Sequence, residues 1–329
     1  MSEPETLPIT VLTGFLGSGK TTLLRRALVS PALADTAVVI NEIGEIAIDH
    51  HLVDFVEGDI IELPGGCLCC AVREDLARTL RDLLDRRASG EIRPFRRIVV
   101  ETTGLADPAP ILYTLGAEPM LDHCLHLASV VTLVDAVAGA GTLDRFAEAA
   151  RQAALADRLV ISKTDLAPPA PELICRLDRL NDRAARILAA EADDPGAVLF
   201  AGGRPAPALL PSEPHAAHTH GISTFTISLG AAISRLDFAR ALGELARTRG
   251  YDLLRVKGIV RFADRPERPA VVQAAQHAMF APEWLDDWPA DWSPDRRGSR
   301  SRLVFVVHDV DSAEILAHFA FAAPALWSG

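Results

Sequence analysis

The chain has 329 residues, of which 49% are hydrophobic and 23% are charged, a balance typical of globular proteins. This length favours two domains over one. The formal net charge of −11 and the lack of a basic stripe argue against nucleic-acid binding, because neutralising phosphates requires clustered lysine and arginine.

The opening residues, MSEPETLP, are acidic and contain prolines, unlike the basic start and apolar run of a signal peptide. The longest apolar runs, such as Leu303 to Val307, are far shorter than the roughly 20 residues of a membrane-spanning helix. We therefore expect a cytoplasmic protein without a membrane partner. Three of the five cysteines lie within four residues, and in a reducing compartment this clustering indicates metal or redox chemistry.

The first two hundred residues alternate short β-branched runs with amphipathic stretches. Predicted strands are Pro8 to Leu12, Ala37 to Ile40, Arg97 to Glu101, Val130 to Val134 and Leu159 to Ile161; predicted helices are Lys20 to Val29 and Val72 to Arg87. Strands that are apolar throughout are typical of a parallel sheet buried on both faces. Residues 1–201 are therefore predicted to form a doubly wound α/β domain of the P-loop NTPase type, with a mostly parallel sheet.

Residues 14–21 read GFLGSGKT and fit the P-loop pattern G-x-x-x-x-G-K-[ST]. The pattern follows a predicted strand and opens a predicted helix, so the loop N–H groups should converge on phosphate oxygens at the positive helix end. Lys20 should reach the β- and γ-phosphates, and the Thr21 hydroxyl should bind Mg²⁺. The predicted nucleotide-binding residues of this loop are Gly14, Gly17, Ser18, Gly19, Lys20, Thr21 and Thr22.

Glu101 ends a predicted strand and opens the sequence Glu-Thr-Thr-Gly, which has the spacing of a G-protein D-x-x-G switch with Glu in place of Asp. A carboxylate at this edge of the sheet could hold Mg²⁺ or its waters. The Gly104 N–H could sense the γ-phosphate. Glu101 and Gly104 therefore join Lys20 among the predicted catalytic residues.

Residues 41–45, NEIGE, follow the second predicted strand and occupy the place of a switch segment. Glu42 could orient the attacking water or touch a metal ion, and Glu45 could do the same. We include Glu42 in the predicted catalytic set. A solvated acidic turn is the alternative interpretation.

Residues 65–70 read GGCLCC, which brings three thiols together in one loop. Cys67 and Cys70 have the C-x-x-C spacing that lets two sulfur atoms face one ion, and Cys69 adds a third. Soft thiolates favour Zn²⁺ or Cu(I) over Mg²⁺ or Ca²⁺. A fourth ligand would come from water, Glu42, Glu45, a histidine or a partner. A redox C-x-x-C pair and small buried cysteines are the alternatives.

Residues 162–165 read SKTD and follow another predicted strand, where the usual guanine signature is N-K-x-D. Asp165 would accept two hydrogen bonds from guanine N1 and N2, which adenine cannot supply. A buried Asp165 carboxylate left unpaired by ATP would discriminate strongly, so GTP is the predicted nucleotide. Ser162 and Lys163 complete the predicted base site. A helix N-cap at Thr164 or Asp165 is the alternative.

Residues 202–221 are rich in Gly, Pro and His and are predicted to be an interdomain linker. Beyond them, predicted strands are Ser223 to Ser228, Leu254 to Phe262, Ala270 to Phe280 and Leu303 to Val307; predicted helices are Leu236 to Arg247 and Ala313 to Phe321. Residues 222–329 are therefore predicted to form a smaller α+β domain of ferredoxin-like type.

In this order, GFLGSGKTTLL, NEIGEIAID, GGCLCC, ETTGLADP and SKTDL resemble the CobW-like metallochaperone GTPases. LRVKGIVRF, VVQAAQHAMFAPEW and RLVFVVH are similar to that family's C-terminal domain. The resemblance implies a GTP-dependent protein that binds Zn²⁺, or Co²⁺, at the Cys-x-Cys-Cys thiolates and delivers it to a client metalloprotein. Two departures are Ser162, where Asn is usual, and a linker with three histidines instead of a long histidine run.

The thiols lie between two switch-like segments, so metal affinity is expected to depend on the bound nucleotide. Intrinsic turnover is expected to be slow, because no arginine finger is evident in the sequence. Two rival functions are a P-loop kinase or NTPase acting on a small molecule, and a metal-sensing GTPase that delivers nothing. A homodimer is compatible with the sequence.

Overall fold

The computed structural model describes residues 6–40, 60–62, 69–200, 220–230, 232–289, 292 and 301–326, with backbone alone for residues 60–62 and 69–75. These residues divide into two compact units. The first comprises the described residues up to Arg176 and those from Ala184 to Phe200. The second comprises Leu177–Arg183 and the described residues from 220 onward.

The first unit is built on a parallel sheet. Its strands are β1 (Leu7–Gly14), β2 (Thr36–Ile40), β3 (Ile60–Glu62), β4 (Arg97–Glu101), β5 (Leu125–Asp135), β6 (Arg158–Ser162) and β7 (Ala185–Leu188). Its helices are α1 (Lys20–Leu28), α2 (Cys69–Ser89), α3 (Ala109–Ala117), α4 (Pro119–Cys124), α5 (Gly139–Arg145), α6 (Ala147–Ala154), α7 (Pro171–Asn181) and α8 (Ala197–Phe200); the last turns of α7 are grouped with the second unit. All seven strands run parallel in the order β3-β2-β4-β1-β5-β6-β7, which confirms the predicted P-loop NTPase type of sheet.

Apolar packing fixes the central strands against α1. Leu23, Leu24 and Ala27 of α1 pack with Leu12 of β1 and with neighbouring strand residues in one buried cluster. Because these strands carry apolar residues on both faces, they are packed from both sides. Because they run parallel, their carboxyl ends lie at the same edge of the sheet. Helix α1 then starts from that edge, directly after β1.

The strand register aligns four carboxyl ends at that edge. Leu12 of β1 lies opposite Glu101 of β4, Ile40 of β2 lies opposite Glu101, and Glu62 of β3 lies opposite Ile40. The segments that follow these four strands therefore begin side by side. In open α/β sheets this edge is where ligands bind.

Several elements of the first unit differ in extent from the sequence prediction. Helix α2 begins at Cys69, three residues before the predicted start, and β5 has 11 residues where five were predicted. Strand β7 was not predicted, because its sequence, Ala-Arg-Ile-Leu, is too short and too exposed to show a buried-strand pattern.

The second unit is an antiparallel sheet with helices. Its elements are β8 (Ile222–Ser228), α9 (Arg235–Arg249), β9 (Leu253–Val260), β10 (Ala270–Ala275), β11 (Ala278–Met279), β12 (Glu283–Trp284), β13 (Arg302–His308), α10 (Ser312–His318) and β14 (Ala325–Leu326). The strand order is β11-β10-β9-β13-β8-β14. Without β10, β11 and β12, this is the β-α-β-β-α-β arrangement of a ferredoxin-like fold. The prediction of a smaller α+β domain is confirmed.

The prediction of one strand from Ala270 to Phe280 was wrong. The chain turns back at Gln276 and His277, and Ala275 pairs with Ala278 in an antiparallel hairpin. Gln276 has φ of 52°, a left-handed conformation that ends the strand. The continuous run of small apolar residues concealed this turn, because Gln276 is not a typical turn residue.

The predicted linker 202–221 lies, except for His220 and Gly221, outside the described residues. Among the helices within the described ranges, none is long and apolar enough to span a bilayer.

Gly258 of β9 lies too close to the paired strand for a side chain to fit. A Cβ there would lie 2.0 Å from the Arg302 carbonyl oxygen of the paired strand β13, so Gly258→Ala forces two central strands apart. We expect Gly258→Ala to lower the free energy of unfolding by about 2 kcal/mol. All four tryptophans follow residue 283, so denaturant unfolding monitored by tryptophan fluorescence reports on this unit.

Gly243 in α9 is the matched control. It is exposed in the helix interior, and nothing lies within 4 Å of an added Cβ. Gly243→Ala should raise the free energy of unfolding by about 0.5–1 kcal/mol, because alanine is the better helix former. Equal effects of the two substitutions would contradict the packing argument.

Candidate functional site

The loop between β1 and α1 has the backbone of a phosphate-binding P-loop. Gly14, Gly17 and Gly19 have φ of 146°, 72° and 94°, values that side chains strongly disfavour. A Cβ on Gly14 would also lie 2.6 Å from the Leu133 carbonyl oxygen of β5. The sequence therefore requires glycine here both for conformation and for close approach, and α1 begins immediately afterwards at Lys20.

Lys20 is buried inside this loop. Its Nζ donates hydrogen bonds to the Gly14 carbonyl oxygen at 2.7 Å and to the Phe15 carbonyl oxygen at 3.3 Å. The ammonium group is thereby fixed at the mouth of the P-loop, beside the N-terminus of α1. A cation and a helix N-terminus together favour a bound anion.

Glu101 and Thr21, the two predicted Mg²⁺ ligands, lie in contact beside the P-loop. The Thr21 hydroxyl donates to Glu101 Oε1 at 3.4 Å, and Glu101 is only 4% exposed. A hydroxyl and a buried carboxylate are the hard oxygen ligands that Mg²⁺ prefers. These two residues therefore fit a Mg²⁺ ion by donor type and position.

Thr102 and Thr13 join the two strand ends and were missed by the sequence analysis. Thr102 N–H donates to the Leu12 carbonyl oxygen at 2.9 Å, and the Thr102 hydroxyl donates to Thr13 Oγ1 at 2.8 Å. Both threonines are almost fully buried. The threonine directly after Glu101 is the only signal in the sequence that could have indicated this link.

Gly104 lies against the P-loop itself. A Cβ at this position would come within 2.6–2.8 Å of Leu16 side-chain and backbone atoms. The backbone of the Glu-Thr-Thr-Gly segment thus touches the loop that is predicted to hold the phosphates. This contact brings three of the four predicted catalytic residues, Lys20, Glu101 and Gly104, into one site.

Ser162, at the end of β6, contacts the P-loop. Its buried hydroxyl donates to the Ser18 carbonyl oxygen at 2.6 Å and lies 3.3 Å from the Val134 carbonyl oxygen. A Cβ on Gly19 would approach the Ser162 side chain at 3.8 Å. In this structure Ser162 therefore supports the loop backbone.

Lys163 and Asp135 form a pair beside Ser162. Lys163 has φ of 57°, and its Nζ donates to Asp135 Oδ2 at 2.6 Å. Asp135 Oδ1 accepts hydrogen bonds from the N–H groups of Val137 and Ala138. Burial opposes ionisation of Asp135, but the Lys163 hydrogen bond and the backbone donors outweigh it and lower its pKa below the usual value. Asp135 follows a predicted strand, a signal that the sequence analysis did not use.

Asp165 is exposed, so the sequence-based treatment of its carboxylate as buried was wrong. The turn after Lys163 runs along the surface, where the Leu166 and Ala167 N–H groups bond the Lys163 carbonyl oxygen. Thr22 is likewise exposed on the first turn of α1, whereas the predicted P-loop residue Ser18 is buried at 2% exposure.

Only some of the predicted metal-binding residues lie within the described residues. Cys67, Glu42 and Glu45 lie outside the described residues, and Cys69 and Cys70 form the first turn of α2 with backbone alone described. In the part of the chain that the structure describes, no group of three or more metal-binding side chains occurs. Two other cysteines, Cys124 and Cys175, are free thiols.

Comparison with known proteins gives matches along both units. Residues 8–188 match the family described as CobW/HypB/UreG, nucleotide-binding domain, and residues 222–323 match the Cobalamin synthesis protein cobW C-terminal domain. The zinc chaperone YjiA of Escherichia coli is 33% identical over 320 residues, covering 95% of this chain and 98% of that protein. The zinc chaperone CobW of Pseudomonas aeruginosa is 30% identical, covering 94% and 89%.

A solved structure of one relative has the same fold. The crystal structure of Zn(II)-bound YjiA GTPase from E. coli superposes with a TM-score of 0.65 at 28% identity, covering 97% of this chain and 99% of that one. Family match, relatives and fold agree over nearly the whole chain. This chain therefore belongs to the CobW/HypB/UreG family of nucleotide-binding proteins and carries that family's CobW C-terminal domain.

Proposed function

We propose that this protein binds and slowly hydrolyses GTP, and that the nucleotide state controls how tightly Cys67, Cys69 and Cys70 hold a Zn²⁺ ion for delivery to a client metalloprotein. Relatives named zinc chaperones, and a Zn(II)-bound relative of the same fold, support zinc as the cargo. Co²⁺ is the alternative ion, because three thiolates accept both.

One observation supports this proposal: the strands that precede the relevant segments are neighbours in the sheet. Strands β3, β2, β4 and β1 are adjacent, parallel and aligned at their carboxyl ends. The Cys-x-Cys-Cys sequence follows β3, residues 41–45 follow β2, the Glu-Thr-Thr-Gly segment follows β4, and the P-loop follows β1. A rearrangement at the γ-phosphate can therefore pass to the thiol segment through neighbouring chain segments.

Three described residues and Glu42, which lies outside the described residues, would take part in GTP hydrolysis, together with Thr21. Lys20 would balance the charge of the β- and γ-phosphates, and the Gly104 N–H would donate to a γ-phosphate oxygen. Thr21 and Glu101 would hold Mg²⁺, which when bound neutralises charge that develops on the phosphates. Glu42 is proposed to orient the attacking water.

The base would be recognised at the end of β6. Asp165 would accept hydrogen bonds from guanine N1 and N2, and Lys163 would lie along the base while paired with Asp135. Ser162 would act indirectly, because its hydroxyl holds the Ser18 carbonyl oxygen of the P-loop. The exposed position of Asp165 means that guanine itself must cover this carboxylate for strong discrimination.

Zinc affinity is expected to depend on the bound nucleotide. Zn²⁺ affinity, measured by competition with a chromogenic chelator, should change at least fivefold between protein with a non-hydrolysable GTP analogue and protein with GDP. Lys20→Ala should abolish this difference, because it removes the cation that binds the β- and γ-phosphates. Cys69→Ala should weaken Zn²⁺ binding in every nucleotide state.

Cys175→Ala is the control for the thiol variant, because Cys175 is an exposed free thiol on α7. It should leave Zn²⁺ affinity and coupling unchanged. Equal affinity with GTP analogue, GDP and no nucleotide would eliminate the coupling. Phosphorylation of a small-molecule acceptor would instead favour the kinase alternative, and coupled binding without transfer to an apo-client would favour a sensor.

Substitutions at Asp165 and Ser162 separate base recognition from support of the P-loop. Asp165→Asn should lower GTP affinity by at least about 100-fold while raising affinity for xanthosine triphosphate, because the amide can donate to the xanthine C2 carbonyl. Ser162→Ala should weaken GTP and ATP alike, by about tenfold or less, since it removes one hydrogen bond to the loop. Titration with fluorescent nucleotides measures both. A Ser162→Ala effect confined to GTP would show that Ser162 reads the base.

A further inference from the structure

Helix α6 holds the segment that follows β4. Gln152, on α6, is 1% exposed, and its Nε2 donates to the Gly104 carbonyl oxygen at 3.2 Å and to the Ala106 carbonyl oxygen at 2.9 Å. One buried amide thus satisfies two backbone acceptors in the turn of the Glu-Thr-Thr-Gly segment. No sequence motif marks this residue.

The orientation of the Gln152 amide follows from its surroundings. The reversed amide would place Oε1 against two carbonyl oxygens, so only the donating Nε2 can face the segment. Gln152 also lines a cavity of about 40 Å³, together with Phe15 and Leu16 of the P-loop. Gln152 therefore lies between the phosphate-binding loop and the segment after β4.

Side chains next to Gln152 attach α6 to the segment after β4 and to strand β5. Arg151 pairs with Asp107 at 3.0 Å, and Asp107 in turn accepts a hydrogen bond from the Ala109 N–H at the start of α3. The Thr132 hydroxyl of β5 donates to the Gln152 main-chain oxygen at 2.8 Å. Helix α6 is thus anchored to the sheet on one side and to the segment on the other.

We propose that Gln152 is a positioning residue that holds the turn at Gly104 in the conformation that meets a γ-phosphate, and so makes the site selective for a triphosphate over a diphosphate. Because Gly104 lies directly against Leu16 of the P-loop, a small displacement of this turn changes the distance from its N–H to the phosphate. The inference rests on the proposed GTP-binding function and assigns a distinct part of it to α6.

Gln152→Met tests the inference, because methionine has a similar shape and donates no hydrogen bond. We expect affinity for the non-hydrolysable analogue GMPPNP to fall about tenfold, with GDP affinity unchanged, because the turn must then be ordered when the γ-phosphate binds. The value of kcat should fall by a similar factor. In wild type, hydrogen exchange at residues 104–107 should be slow, and it should accelerate in the variant.

Thr132→Val is the matched control. It removes a buried hydroxyl that bonds the main chain of the same residue, but leaves both Nε2 contacts in place. It should lower stability without changing the ratio of GMPPNP to GDP affinity. Should Gln152→Met fail to fold, Gln152→Asn keeps the amide but shortens its reach, and the same changes are expected.

The outcomes distinguish this inference from the proposed function. Wild type that binds and hydrolyses GTP, with an unchanged affinity ratio and unchanged exchange in the Gln152 variants, would overturn the role of Gln152 alone. An altered ratio in Thr132→Val equal to that in Gln152→Met would reduce Gln152 to a structural residue. Wild type that fails to bind GTP would overturn both.

Discussion

The candidate site depends on one backbone contact, the hydrogen bond from Thr102 N–H to the Leu12 carbonyl oxygen. It extends the pairing of β1 and β4 just beyond Glu101, so that the segment after β4 leaves the sheet beside the P-loop. The Thr102–Thr13 hydroxyl pair reinforces this contact in a buried setting, where an unpaired polar group would be costly. The meeting of Thr21 with Glu101 and the packing of Gly104 on Leu16 both follow from this geometry.

Around this contact, neighbouring elements support the loop from several directions. Ser162 of β6 holds the Ser18 carbonyl oxygen, Leu133 of β5 excludes any side chain at Gly14, and α6 holds the turn at Gly104 through Gln152. Parallel strands bring all of these residues to one edge although they are far apart in sequence. The site is therefore a property of the sheet as a whole.

The residues that the sequence predicted well are those with local signals. GFLGSGKT fixes a strand, a turn and a helix within one short window, and the buried strand at Arg97–Glu101 was predicted at its observed limits. Residues whose role depends on distant partners were not predicted: Gln152 and Thr13 act through contacts 46 or more positions away. The turn at Gln276 was missed because no glycine, proline or asparagine marked it, and the exposure of Asp165 was misjudged because burial is set by tertiary packing.

The strand order has an electrostatic consequence. Strands β3 and β1 are three steps apart, and neighbouring strands are spaced by about 4.8 Å, which puts their ends on the order of 15 Å from each other. That separation exceeds the Debye length of about 8 Å at physiological ionic strength, so a direct electrostatic interaction between charged groups near solvent at these two strand ends would be largely screened. The proposed communication between metal and nucleotide would then be mechanical, through the chain segments that follow β2 and β4. Added salt should therefore leave such communication largely intact.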